Sequence, residues 1–194
     1  YVSAVGAQLF LSGNHADVHK AISNGIAAAT ITPKETVHQE DPTIKVAFDG
    51  DSVLFGSESD DAFRSLGLEH FISHEHEKRA IPMQGGPFKD FVMALKQVQD
   101  AFPVGECPLK LALVTARGIQ SHERVFTTLR DWGLTLDEVM FCAGTAKGPI
   151  LKAFGADIFF DDTQSNLRSA LDHDIASGHV PFGTGGIPGG PGGH

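Results

Sequence analysis

Positive charge is scarce in this 194-residue chain: 15 Lys and Arg stand against 24 Asp and Glu, for a formal charge of −9. That balance excludes a nucleic-acid binder working through a broad basic surface, so no nucleic-acid partner is expected. An anionic small substrate would need local positive charge or a metal. Cysteine is scarcer still. Cys107 and Cys142 cannot build a disulfide framework, and a reduced, cytoplasmic protein is expected. No apolar run is long enough to cross a bilayer and no signal peptide is evident, so no membrane partner is expected either. The chain opens on Tyr1 rather than Met and reads as a processed or truncated piece. What remains is ordinary for a globular domain: 41% hydrophobic residues and enough length for one good-sized core plus a small subdomain.

The stretch Val46-Ala47-Phe48-Asp49-Gly50-Asp51 organises the rest. A strand-forming run stops at two carboxylates, with a Gly between them that lets the backbone turn tightly. In an open parallel sheet the crevice beyond the strand ends is where ligands sit, so Asp49 and Asp51 stand where chemistry is usually done. Alone, D-G-D reads as readily as a simple turn; the residues that follow give it weight.

In chain order, residues 7–12 read as a strand. A helix follows, with Val18, Ala21, Ile22 and Ile26 at helical spacing and Asn14 or Asp17 as cap. His15 and His19 read as an exposed helix face rather than a metal pair. Residues 32–43 read as a linker. The first strand and helix weakly echo residues 159–176, allowing a one-residue slip, which suggests that residues 1–40 hold the tail of a degenerate preceding unit. Residues 56–87 hold two short helical patterns, Asp60 to Leu66 and Glu69 to Lys78, and a Gly85-Gly86 loop; this is the size of a small helical cap. Its run His74 to Arg79 reads as a solvated face rather than a metal site. Phe88, Phe91, Val92, Leu95, Val98 and Phe102 form a stripe expected to pack on the sheet. Strands are expected at Leu109 to Val114, Val139 to Cys142 and Ala156 to Phe160, and the Gly/Pro-rich tail 183–194 is expected to be disordered.

These strands end on Asp49-x-Asp51, on Thr115, on a loop bearing Lys147, and on Asp161-Asp162. Strand-helix alternation implies a mainly parallel sheet, so the ends converge. Four carboxylates in one crevice call for a hard cation, and Mg²⁺ fits best. Thr115 and Lys147 are natural partners for phosphate oxygens.

The four motifs in this order resemble the haloacid dehalogenase (HAD) superfamily, and more closely the cytosolic 5'-nucleotidase type I family. That resemblance rests on Val46 to Phe55, Leu113-Val114-Thr115-Ala116-Arg117, Ala146-Lys147-Gly148-Pro149 and Phe159-Phe160-Asp161-Asp162, and runs from about Leu9 to Pro181. Family members carry a substantial N-terminal region that this sequence lacks. The resemblance implies an α/β fold: a three-layer, Rossmann-like HAD core over 41–182, with the cap inserted after the first catalytic strand. It implies a Mg²⁺-dependent phosphoric monoester hydrolase acting on nucleoside 5'-monophosphates such as AMP. Asp49 would be the nucleophile and Asp51 the general acid and base. Asp49, Asp51 (by its backbone carbonyl), Asp161 and Asp162 would hold the metal, and Thr115, Ala116, Arg117 and Lys147 the phosphate. Arg117 reads equally well as a surface ion pair. Phe55, Phe71, Gly85 and Gly86 are candidates for base recognition, with purine and pyrimidine both open. A phosphotransferase with the same residues, a different phosphate ester and an inactive metal-binding fragment stay open, as does the oligomeric state.

Overall fold

The computed structural model describes residues 5–33 and 42–182, apart from the side chains at 60–66 and 68. Most of the expected linker and all of the expected tail 183–194 lie outside those residues.

The described strands are β1 (Leu9–Ser12), β2 (Ala27–Thr32), β3 (Ile44–Phe48), β4 (Leu109–Thr115), β5 (Glu138–Phe141), β6 (Ile158–Asp161) and β7 (Ala176–His179). They form one sheet in the order β1-β2-β7-β6-β3-β4-β5. Every neighbouring pair is parallel except β2 and β7. The helices are α1 (His15–Ser23), α2 (Glu58–Glu77), α3 (Lys89–Asp100), α4 (His122–Asp131), α5 (Lys147–Phe154) and α6 (Gln164–Leu171).

The two-residue period of the strands sorts the core into two layers. Val46, Phe48, Leu111, Leu113 and Phe160 pack with Phe88, Val92, Val125 and Leu129, which belong to or border α3 and α4. Ala47, Ala112, Val114 and Phe159 face the other way, onto Leu151, Leu167 and Ala170 of α5 and α6. The result is the expected three-layer α/β/α arrangement. Phe48 and Phe160 stack with ring centroids 5.7 Å apart at its centre, an offset pairing that fixes β3 against β6. Both strands therefore end at the same level, Asp49 beside Asp161.

Some local expectations change. Helix α1 stops at Ser23, because Gly25 takes a φ of +74° and turns the chain, so Ile26 lies beyond it. Strands β2 and β7 gave no propensity signal, being Ala27-Ala28-Ala29 and Ala176-Ser177-Gly178 in part. Small residues are what the packing requires there: a Cβ on Gly178 would lie 2.5 Å from the Phe160 ring. The α3 stripe faces inward only over its first half, since Val98 and Phe102 are 49% and 43% exposed. Helix α2 breaks at Gly67, φ +80°, between the two expected short helices.

The echo between the chain's two ends has a geometric counterpart. Leu9 pairs with Ala27 and Ile158 with Ala176, the same separation in sequence. Asn14 and Thr163 stand at the N-caps of α1 and α6; Gly25 and Asp174 both take positive φ where those helices exit. At this offset no slip is needed, and Thr30 falls on His179. Those two residues are direct partners in the antiparallel β2–β7 pair, so a local two-fold relates the strand-helix-strand units.

Candidate active site

Strand β3 releases the chain into a tight turn at Gly50–Leu54. The Asp49 N–H donates to the Phe160 carbonyl at 2.8 Å, and the Asp49 carboxylate accepts the Gly50 N–H at 2.6 Å. Ser52 holds a φ of +63° to complete the turn. Gly50 is required by close approach: a Cβ there would sit 3.0 Å from the Thr115 hydroxyl oxygen at the end of β4. The turn after β3 and the end of β4 are thus pressed together.

Asp49, Asp161 and Asp162 are all buried, and each offers a carboxylate oxygen within 4.8 Å of the others. Lys147, the first residue of α5, reaches across them. Its Nζ lies 2.7 Å from Asp49 Oδ1 and donates to Asp161 Oδ2 at 2.7 Å. Burial opposes the ammonium charge, but the Asp49 and Asp161 carboxylates outweigh it and hold the Lys147 pKa above the ordinary lysine value. Burial pushes the Asp49 carboxyl well above its ordinary range, with Asp161 adding to the effect and Lys147 opposing it. One ammonium against three carboxylates leaves a local deficit of positive charge. Hard oxygen donors at this density suit a divalent cation such as Mg²⁺.

Thr115 is fully buried, and its hydroxyl accepts the Arg117 N–H at 3.2 Å. The loop after β5 docks here: Cys142, Ala143 and Gly144 donate backbone N–H groups to the carbonyls of Thr115, Arg117 and Ala116 at 2.9, 3.1 and 3.1 Å. Those bonds bring the Lys147 loop against the end of β4, with Ala116 exposed at the rim.

Arg117 is not a surface residue; only 3% of it is exposed. Its Nε and Nη2 donate to the two oxygens of Asp51 at 2.8 and 2.7 Å, and its Nη1 donates to Glu75. The Asp51 carboxylate stands outside the three-acid cluster. Phe55 and Phe71 pack around this guanidinium, 6.0 and 5.4 Å from ring centroid to Cζ, and Phe55 also packs on Trp132 at 5.7 Å. Gly85 bridges to Phe55, and the Gly86 N–H donates to Leu54 O at 2.9 Å. The close approach permitted by Gly86 is thus made to the chain's own Asp49–Phe55 turn.

Sequence reading missed three residues. Glu75, expected on a solvated face, is 2% exposed and bonded to Arg117 and Arg124. Nothing in the alternation of His and Glu around it marks it as different. Asn166 donates to Asp161 Oδ2 at 3.0 Å; its place in the first turn of α6, just past the acid pair, was the available signal. His179 donates from Nε2 to the Asp162 carbonyl at 3.1 Å, a contact that depends on the unforeseen β7.

The 5'-nucleotidase family's sequence profile matches residues 1–186. The chain is 37% identical over 176 residues to cytosolic 5'-nucleotidase 1B of Homo sapiens, a match that takes in 88% of this chain. It spans only 29% of the length of that relative. Among solved structures it is similar to a HAD-superfamily hydrolase of subfamily IA, variant 1, from Geobacter sulfurreducens PCA. That likeness has 13% identity and a TM-score of 0.36, and it covers 73% of this chain and 89% of the other. With its acid cluster, lysine and threonine brought to one end of the sheet, and a profile match over nearly its whole length, the chain belongs to the 5'-nucleotidase family.

Proposed function

We propose that this chain carries the catalytic core of a cytoplasmic, Mg²⁺-dependent 5'-nucleotidase that hydrolyses AMP-like nucleoside 5'-monophosphates to nucleoside and phosphate. The observation that carries the reading is the buried cluster of Asp49, Asp161 and Asp162, in which Lys147 bridges Asp49 and Asp161. An aspartate nucleophile beside a hard-cation site and a fixed ammonium is the equipment for transferring a phosphoryl group to a carboxylate.

In this reading an Asp49 oxygen attacks phosphorus in line. The Asp49 O–P bond forms as the bond from phosphorus to the 5' oxygen breaks, and Asp51, carrying the proton taken from water in the preceding turnover and yielding one of its two bonds from Arg117, gives that oxygen its proton. Asp51 then takes a proton from water, the water oxygen attacks phosphorus, and the Asp49 O–P bond breaks to release phosphate. Lys147, the Thr115 hydroxyl and the backbone N–H of Ala116 hold the phosphoryl oxygens as charge redistributes, while the Arg117 N–H stays on the Thr115 hydroxyl oxygen. Mg²⁺, held by the carboxylates of Asp49, Asp161 and Asp162 and the Asp51 carbonyl, would offset the phosphate charge that otherwise repels the nucleophile. Recognition of the nucleoside is assigned to α2 and the Gly85-Gly86 loop, with Phe71 as its aromatic. Phe55 has weaker support, since it is fully buried and Trp132 packs against it.

The test is phosphate release from a panel of nucleoside 5'-monophosphates with Mg²⁺ and with chelator. Release should need the metal, and Asp49→Asn should lower it by at least ~10³-fold, the scale on which losing a nucleophile is felt. Release that survives chelator, or that persists in a folded Asp49→Asn chain, would sink this mechanism.

A further inference from the structure

A chain of buried charges runs from Asp51 into α2. Arg117 grips both Asp51 oxygens and also donates to Glu75 Oε2. The other Glu75 oxygen, Oε1, accepts from Arg124 Nη1 at 2.8 Å and from the Ser59 hydroxyl at 2.8 Å. Arg124, on α4, continues to Glu58 at 2.9 Å and to the Ile81 carbonyl at 3.1 Å. Glu75, Arg117 and Arg124 are exposed by only 2%, 3% and 2%. Burying two guanidiniums and a carboxylate is costly before pairing, and a hydrophobic contact would hold α2 to the sheet as firmly. Arg117, moreover, is aimed by this arrangement: with Nη1 tied to Glu75, its remaining edge, Nε and Nη2, presents a two-pronged face to Asp51.

We propose that Glu75 is a positioning residue for the reaction: by fixing the orientation of Arg117 it sets the carboxylate of Asp51, and so couples the seating of α2 to proton delivery to the leaving group. The inference rests on the acid role proposed above for Asp51. A carboxylate can serve two guanidiniums because each oxygen accepts separately. An amide at the same place accepts on one side only and turns N–H groups toward the other guanidinium. Glu75→Gln therefore keeps the size of the side chain and breaks one of the two links.

The experiment compares two esters in the first turnover, on the whole chain with Mg²⁺, by following release of the leaving group. A nucleoside 5'-monophosphate leaves as an alkoxide and needs a proton; 4-nitrophenyl phosphate leaves as a stable phenolate and does not. Glu75→Gln should slow the nucleotide by roughly 10-fold or more, within the range of general acid catalysis, and the aryl ester by less than about 2-fold. A purely structural role lowers the folded fraction and slows both esters alike, so equal losses overturn the proposal, as does no loss for either. If Glu75→Gln does not fold, Glu75→Asp, which keeps the charge and both oxygens, should change the ratio in the same direction by less. An unchanged ratio in that variant overturns the proposal too. Absence of turnover of either ester by the unaltered chain is a different failure: it removes the hydrolase reading, and this inference with it.

Discussion

Lys147 Nζ lies 2.7 Å from Asp49 Oδ1, with 1% and 9% of the two side chains exposed. The proposed nucleophile is thus paired with an ammonium that also reaches Asp161. Such a pair holds Asp49 in one orientation and keeps a cation where a phosphoryl oxygen would arrive. It also makes Lys147 an internal counter-charge to two of the three clustered acids.

Lys147→Met should therefore destabilise the metal-free chain by about 3–5 kcal/mol, the cost of leaving buried charge uncompensated. Much of that loss should be recovered by Mg²⁺, which supplies the missing positive charge. Urea unfolding of the variant in chelator and in Mg²⁺ checks both parts; equal stability in the two media would contradict them.

Metal binding can be read without activity. Mg²⁺ at about 100 times its Kd should stabilise the unaltered chain by ~2.7 kcal/mol. Asp161→Asn removes one of the three clustered carboxylates and should weaken that response. Melting curves across a Mg²⁺ titration give the comparison, and an undiminished shift in the variant would take Asp161 out of the metal site.

Gly86 ties the loop at 82–87 to the Asp49–Phe55 turn. A Cβ there would lie 2.3 Å from the Phe55 carbonyl oxygen and 2.4 Å from that of Val53, both backbone atoms. Gly86→Ala should cost more than ~2 kcal/mol, since the loop must separate from the turn to admit it. By contrast a Cβ on Gly13 meets nothing within 4 Å, so Gly13→Ala should be close to neutral. Chemical denaturation of the two variants should separate them clearly.

Far from the site, Asp137 joins the start of β4 to the approach to β5. It accepts from Lys110 Nζ, the Leu111 N–H and the Gln99 amide, each at 2.8 Å. Burial works against its charge, but these donors, Lys110 foremost, hold its pKa below the usual 3.8. A carboxyl lowered on folding adds stability above its unfolded pKa and loses it as pH falls through the folded value. Asp137→Ala should accordingly cost roughly 1 kcal/mol at pH 7, discounted for the partial exposure of the group. The difference should shrink below about pH 4 and vanish near pH 2. Unfolding free energies at several pH values test the sign.

Much of this fold is legible in the sequence, for definite reasons. Strands β3, β4 and β6 announce themselves because central parallel strands are buried on both faces and read as apolar runs; β5, at the sheet edge and only half-buried, shows through its apolar Val139, Met140 and Phe141. Each of the first, second and fourth motifs directly follows or closes such a run, and Lys147 sits where Pro149 marks the start of a helix. Strands β2 and β7 were silent because their Ala, Ser and Gly residues are chosen for tight packing rather than for strand propensity.

What the sequence by itself determined was the order of the chemical groups and the parallel sheet that gathers them: residues at the ends of parallel neighbours must lie side by side. Tertiary structure alone decided which charges meet. That Arg117 points inward to Asp51, that Glu75 rather than its neighbours on α2 is buried, and that β2 joins β7 antiparallel around Thr30 and His179 all depend on how distant segments dock. A buried ion pair spanning 42 residues of chain, Arg117 to Glu75, leaves no periodic trace in the sequence, because its partners are selected by direction in space and not by spacing along the backbone.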